Sequence, residues 1–335
     1  MKFYYGGQAV IEGVMMRGRS SAAVAIRKPD GDIHIYEEAL DPRLYQSKLW
    51  RLPFLRGMLL LWEMLVLGTR LMTVSANIAS GAVDPDAPAS SPEMAPAGEP
   101  AEASNKLEEE RPAQLGGATL VFTLLISLGL GVAIFFVGPL LLTSLFHQQL
   151  GEGWLNVIVE GVIRLALLVG YLYLIGRIPD IQRVFGYHGA EHKAINAMES
   201  GDPLGVEHVR RASRVHTRCG TGFLLLVMVV SIFVFALVGS PTLPLKILSR
   251  IVLVPIVAGI AYELMRLGAA NYRYRVVRWL LAPGLALQGL TTREPDDSMM
   301  ECAIAALKRV MLRDRVLELE NEQEHLPQLA VSPGD

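Results

Sequence analysis

Cysteine is nearly absent. Cys219 and Cys302 are the two present in 335 residues, too few for a disulfide framework, which suits polar segments kept in a reducing compartment. The opening run Met1-Lys2-Phe3-Tyr4-Tyr5-Gly6-Gly7-Gln8 has no apolar core of the kind a cleaved leader needs, so none is expected. Aromatic residues are 7% of the chain and do not interleave with a dense basic stripe, so no nucleic-acid partner is expected. Glycines at 6, 7, 13 and 18 crowd the start, but no Gly-Lys-Ser/Thr follows them and no strand–helix unit frames them. That excludes a phosphate loop and a dinucleotide fingerprint. No Ser/His/Asp nucleophile constellation emerges either.

What the chain has in quantity is apolar residue, 51% of the total. That level points to a polytopic membrane protein with soluble parts. Four spans are read at roughly 116–146 (interrupted by Gly138-Pro139), 154–176, 221–239 and 246–268. Each is long enough for roughly 30 Å of hydrocarbon. Residues 53–80 are apolar but broken by Glu63 and Arg70, which suggests a helix lying in the interface or packed on the bundle, with a full span the less favoured alternative. The segment 177–220 carries Arg177, Arg183, Lys193, Arg210, Arg211, Arg214 and Arg218, while 147–153 carries no Lys or Arg. The positive-inside rule then places 177–220 and both termini in the cytoplasm.

Outside the spans, Ala23–Lys28 and Ile33–Glu37 flank Pro29-Asp30-Gly31-Asp32 and read as a small β hairpin. Residues 82–113 hold eight acidic side chains, eight alanines and six prolines, the composition of a disordered linker. The net charge of −2 therefore hides a mildly basic remainder. After the last span, Arg273, Arg275 and Arg278 lead into an apolar stretch at the interface around Trp279. Ser298 to Glu301 then looks like a capping box opening a C-terminal amphipathic helix.

The chemistry is concentrated in the cytoplasmic segment. His188-Gly189-Ala190-Glu191-His192 reads H-x-x-E-H, and on a helix these positions share one face. Two imidazoles would hold a metal there and the glutamate would activate its water, as in inverted zincins. His216 and Cys219 sit at the mouth of the third span, near the same membrane face. The expected metal ligands are thus His188, His192, His216 and Cys219. Zinc is favoured over magnesium or calcium, which prefer oxygen shells. Four protein ligands would make a closed structural site, and three would leave a place for water. Glu199 and Glu263 are further candidate ligands, the latter otherwise an intrahelical partner of Arg266. Glu160 and Arg164, four apart within the second span, read as a neutralised pair or the mark of an ion path. The glycine-rich opening carries Glu12 as a possible extra acid.

Several blocks together resemble the bacterial YqhQ-like membrane proteins. They are Gly6-Gly7-Gln8-Ala9-Val10-Ile11-Glu12-Gly13-Val14-Met15-Met16-Arg17-Gly18, Pro179 through Lys193, Arg218-Cys219-Gly220-Thr221, and Thr291-Thr292-Arg293-Glu294-Pro295-Asp296-Asp297. The likeness covers almost everything but the linker and the tail. That family has no known function and is described at most as predicted metal-dependent enzymes, which implies the same site without naming a reaction. The family usually has His-Pro-Arg-Cys where this chain has His216-Thr217-Arg218-Cys219, and both candidate ligands survive the change.

The expectation is an α-helical polytopic protein of the bacterial inner membrane, with four transmembrane helices, a small N-terminal β hairpin and a cytoplasmic C-terminal helix. Its leading function is a zinc-type hydrolase at the cytoplasmic membrane face, with Glu191 as general base and Glu12 or Arg218 stabilising substrate. The alternative is a scaffold with a structural zinc site that serves a protein partner, and a transporter comes third. The expected partners are the lipid bilayer and either a protein or a membrane-associated substrate.

Overall fold

The computed structural model describes residues 5–40, 55–82, 117–146, 154–238 and 242–325. The linker expected at 82–113 lies almost wholly outside these residues, as does the tail beyond 325. Within them the chain builds a small sheet domain beside a bundle of long apolar helices.

The sheet has four strands rather than the two read from the sequence: β1 Gly6–Val10, β2 Gly13–Arg17, β3 Ser21–Arg27 and β4 Ile33–Ala39, antiparallel in the order β1-β2-β3-β4. The expected hairpin is β3–β4. The glycine-rich opening supplies the other pair, closed at Ile11-Glu12 with Glu12 at φ +53°, a left-handed conformation uncommon for a side chain. Strand alternation sends two sets of side chains to opposite faces. Ala23 and Ala25, with Val14 and Met16, join one core, while Ala22, Val24 and Ile26, with Val10 and Met15, join the other. Both faces are covered, which explains why β3 reads as a continuous apolar run and not as an alternating one.

One cover is α1, Leu55–Ala79, which lays Leu67, Leu71 and Ile78 on the sheet. Gly57 packs against the Tyr262 ring of a bundle helix, and polar contacts add to this. Arg17 of β2 reaches Glu63, and Arg56 makes a two-point ion pair with Glu263 at the far end of a bundle helix. Glu263 therefore has a partner on another helix, beyond the intrahelical Arg266 considered from sequence.

The opposite face is covered by α5, Pro179–Ser200, and α10, Asp297–His325, with the short α6, Val206–Arg211, beside them. The true cap of α10 is Asp296, whose carboxylate accepts from the Met299 amide at 2.9 Å and from the Ser298 hydroxyl, so the box expected at Ser298 is displaced by two residues. Farther along α10, Asp314 accepts from the Arg19 and Ser20 amides and so ties the β2–β3 turn to the helix.

The bundle contains α2 Gly117–Val132, α3 Gly138–Ser144, α4 Trp154–Ile175, α7 Gly220–Val238 and α8 Leu243–Ala270, with α9 Arg275–Thr291 following. A π-helical turn, Ala133–Val137, joins α2 to α3, so Gly138-Pro139 bends the ladder without ending the helix. Among the described residues, five segments are long and apolar enough to cross a membrane: Arg56–Ala79, Leu125–Ser144, Leu155–Ile175, Gly220–Val238 and Leu243–Ala270. The first stands apart because its buried side faces the sheet, though it too exposes Trp62 and Val66. The others expose large apolar side chains such as Leu130, Leu174, Phe233 and Leu248, as lipid-facing helices do.

Inside the bundle Glu160 is bonded to two arginines. Arg164 donates to it at 2.6 Å, and Arg250 of α8 donates to both its oxygens at 3.0 and 3.2 Å. Arg164 also donates to Ser231 Oγ and to the Phe135 carbonyl, and both guanidinium groups lie against the Phe235 ring.

Candidate metal centre

Helix α5 begins with Pro179, whose fixed φ and missing N–H suit a first turn. It runs unbroken through the H-x-x-E-H motif, so His188, Glu191 and His192 do share a face. Each histidine is pinned at Nδ1 by a main-chain carbonyl: His188 by Thr291 at 2.9 Å and His192 by Arg214 at 2.6 Å. A carbonyl can only accept, so Nδ1 carries the proton and Nε2 keeps its lone pair in the neutral ring. Metal-bound imidazoles are held from behind in the same way, the carbonyl fixing tautomer and ring orientation.

Cys219 stands immediately before α7. Its Sγ is 3.3 Å from His188 Nε2 and accepts from the Thr221 amide at 3.4 Å. One ligand atom from each of His188, His192 and Cys219 lies within 4.8 Å of the other two. A tetrahedral ion with bonds of about 2.0–2.3 Å holds such atoms about 3.3–3.8 Å apart, so closing on an ion takes a shift of about an ångström. Two nitrogens and a sulfur suit a zinc-class ion and not a hard, oxygen-seeking one.

Glu191 is 5% exposed, and burial pushes its carboxyl up to about 7, with His188 and the Gly7 amide, which donates to it, opposing the rise. Gly7 is required by contact: a Cβ there would stand 2.6 Å from the Met15 carbonyl and 2.9 Å from Glu191 Cγ. The glycine-rich opening thus touches the motif through main chain, and β1 is the floor beneath Glu191.

The fourth candidate ligand points elsewhere. His216 packs its ring 5.6 Å from that of His192, but its Nε2 lies 3.2 Å from Arg218 and 3.8 Å from Glu199, which itself pairs with Arg218. Burial lowers the pKa of His216, as do Arg218 and His192, while Glu199 opposes. Gln288 holds the His216 main chain from both sides, accepting from its amide at 3.0 Å and donating to its carbonyl at 2.7 Å. Glu12 pairs with Arg183 and accepts from the Tyr187 hydroxyl, one residue before His188. Burial raises the pKa of Tyr187. Arg218 and Glu12 therefore flank the centre as members of ion pairs.

Sequence reasoning passed over Gln288, and it quoted Gly7 and Thr291 without assigning them these contacts. Gly7 and Thr291 acted through main chain and left only their block context as a signal; Gln288 was a lone polar residue in an apolar helix, and that was legible.

No solved structure matches this chain. It is 33% identical over 328 residues to the uncharacterized protein YqhQ of Bacillus subtilis (strain 168), covering 96% of each chain. A family described as "protein of unknown function (DUF1385)" matches residues 52–313. With both matches spanning most of its length, the chain belongs to that family of unknown function.

Proposed function

We propose that this protein is a metal-dependent hydrolase of the bacterial inner membrane, with its site on the cytoplasmic face and its termini on the same side. Four helices would span: α2–α3, α4, α7 and α8. The burial of α1 on the sheet supports counting it with the cytoplasmic domain, and the arginines between α4 and α7 support the orientation. His188, His192 and Cys219 would hold a zinc-class ion. Such an ion supplies Lewis acidity and makes a bound water acidic near neutral pH.

The observation that carries this reading is the three-ligand set, two members of which are fixed at Nδ1 by main-chain carbonyls, beside a buried glutamate on the same turn. Three protein ligands leave a fourth position open, as in catalytic sites. Glu191 would take the proton of the attacking water and return it to the leaving group, and a carboxyl pushed up to about 7 is matched to both tasks. The Gly7 amide orients one of its oxygens. Arg218, at the rim, would bind an anionic part of the substrate, and Glu12 would act as a positioning residue through Arg183 and Tyr187. A peptide or a lipid-linked amide or ester suits a site at the mouth of a span.

Elemental analysis and X-ray absorption of the purified protein, beside His188→Ala and Cys219→Ala, test this. One zinc with nitrogen, sulfur and one light-atom ligand, lost in both variants, supports the open site. One zinc with a sulfur and three nitrogens would mean that His216 swings in. The centre would then be a structural clip for a protein partner, a reading favoured by the nearness of the His216 ring to His192. No transition metal in the wild type would overturn both.

A further inference from the structure

Helix α9 takes no part in the chemistry, yet it touches both the membrane side and the candidate site. It starts a short turn after α8, and its residues meet the cytoplasmic ends of three bundle helices in succession. Leu281 lies against Gly268 near the end of α8, Gly284 packs on Gly222 in the first turn of α7, and Leu290 reaches Gly176 just beyond α4. A helix that crosses the ends of α8, α7 and α4 in that order lies across the bundle's mouth, in the plane of the membrane surface.

Its exposed side is amphipathic in a particular way. At 100° per residue, Val276, Trp279, Leu280 and Pro283 fall in one sector roughly 100° wide. Val276 is 70% exposed, Trp279 78% and Leu280 65%. Arg275 and Arg278 occupy the next sector, and Arg273 stacks on Tyr274 just before the helix. From Leu264 to Arg293 the chain has five arginines and no acidic residue. Among the described residues, neither Arg275 nor Arg278 has a carboxylate partner.

The far end of the same helix holds the site. The Thr291 carbonyl pins His188, the Thr291 hydroxyl bonds that of Thr221 at 3.0 Å, and Gln288 fixes the main chain of His216. We propose that α9 binds anionic phospholipid headgroups, with its apolar sector in the acyl boundary and Arg275 and Arg278 on the phosphates, and that this contact orders the last turn that orients His188. The proposal rests on the membrane orientation above and not on the presence of a metal. Lipid phosphate is the occupant because the surface offers bidentate cations beside exposed apolar bulk at headgroup level.

The test uses the full-length protein in nanodiscs of phosphatidylcholine, with or without phosphatidylglycerol, and no metal added. Retained lipid is counted by native mass spectrometry after exchange, and amide exchange is followed over 286–293 and 186–192. Wild type is expected to prefer phosphatidylglycerol and to exchange more slowly in both segments when it is present. Arg275→Gln/Arg278→Gln should lower that preference roughly 30-fold, at about a factor of five per surface arginine, and abolish the protection. Arg275→Lys/Arg278→Lys should keep most of both. A glutamine variant that retains the preference would overturn the assignment of the surface. Wild-type exchange that is indifferent to phosphatidylglycerol would overturn the link to the site. Neither readout needs an ion, so failure of the metal reading would show separately in the elemental analysis.

Discussion

Two buried polar clusters sit in this molecule, and they are built on opposite terms. In the bundle, Glu160, Arg164, Arg250 and Ser231 spend their polar atoms on one another and on the Phe135 carbonyl, with aromatic faces closing the sides. On α5, His188, His192 and Cys219 are held firmly from behind, while the imidazole lone pairs and the thiol converge on one small volume. Satisfied burial reads as architecture. Burial that is pinned on one side and gathers ligand atoms on the other reads as a site. This contrast is why the sheet-side cluster carries the functional proposal and the more heavily charged one does not.

The sharpest way to break the contrast is to unbalance the bundle cluster. Glu160→Ala would leave two guanidinium groups facing each other without their shared carboxylate. Removing one partner of a buried ion pair costs about 3–5 kcal/mol, so the variant should unfold far earlier in a denaturant titration in detergent, or fail to accumulate. Replacing the three charged members with apolar residues of similar volume, Glu160→Leu with Arg164→Met and Arg250→Met, should recover most of that loss. If the triple variant instead kept its stability but lost a cellular activity, the cluster would be a site after all.

The second prediction turns on pH. Glu191 is raised from 4.5 to about 7 by burial, so the folded, metal-free protein binds more protons than the unfolded chain as pH rises through that window. Stability is then full below about pH 4.5 and falls as pH climbs to about 7, by about 3 kcal/mol in all. Glu191→Gln should remove this slope and leave the metal-free protein more stable at neutral pH, while lowering any hydrolytic rate about 10²–10⁴-fold. Unfolding midpoints of the two proteins across pH check the first part. A parallel slope in both would place the titration elsewhere.

How much of this was legible beforehand follows the same division. The H-x-x-E-H turn was readable because helical spacing is a local property, and Cys219 because a soft ligand at the mouth of a span is conspicuous. Glu160 with Arg164 was visible as an i, i+4 pair, but Arg250 lies ninety residues on and its approach is set by tertiary packing. The strands β1 and β2 were hidden because their glycines disfavour strands, and long-range pairing, β2 on β3 and β1 on β2, makes them strands. Asp296 won the cap over Ser298 because an aspartate one residue before a helix can serve the Met299 amide directly. Main-chain partners such as Thr291 and Gly7 have no side-chain signature.

Gly7→Ala probes the floor of the site from a distance in sequence. The added methyl would meet the Met15 carbonyl at 2.6 Å and Glu191 Cγ at 2.9 Å. Overpacking of this kind costs about 1–3 kcal/mol, and here it should also displace the Glu191 carboxyl from its amide donor. The expected signature is a small loss of stability with the stoichiometry of bound metal unchanged, because the added methyl meets Glu191 and not a ligand. Loss of metal together with stability would mean that the sheet supports the ligands as well as the base.

The smallest effect expected tests whether the bundle cluster is complete by design of the backbone. Pro139 has no N–H, so it cannot donate to the Phe135 carbonyl four residues before it, and that oxygen takes the Arg164 Nε–H at 3.0 Å instead. Pro139→Ala would restore a local donor and let the π-helical turn tighten, changing stability by less than about 1 kcal/mol. The informative measurement is the double-mutant cycle with Arg164→Met. If the arginine is needed in part to satisfy that carbonyl, alanine at 139 should rescue about 0.5–1.5 kcal/mol of the Arg164→Met cost. Strict additivity would mean that the carbonyl is served without Arg164, and that charge balance with Glu160 alone accounts for a buried guanidinium there.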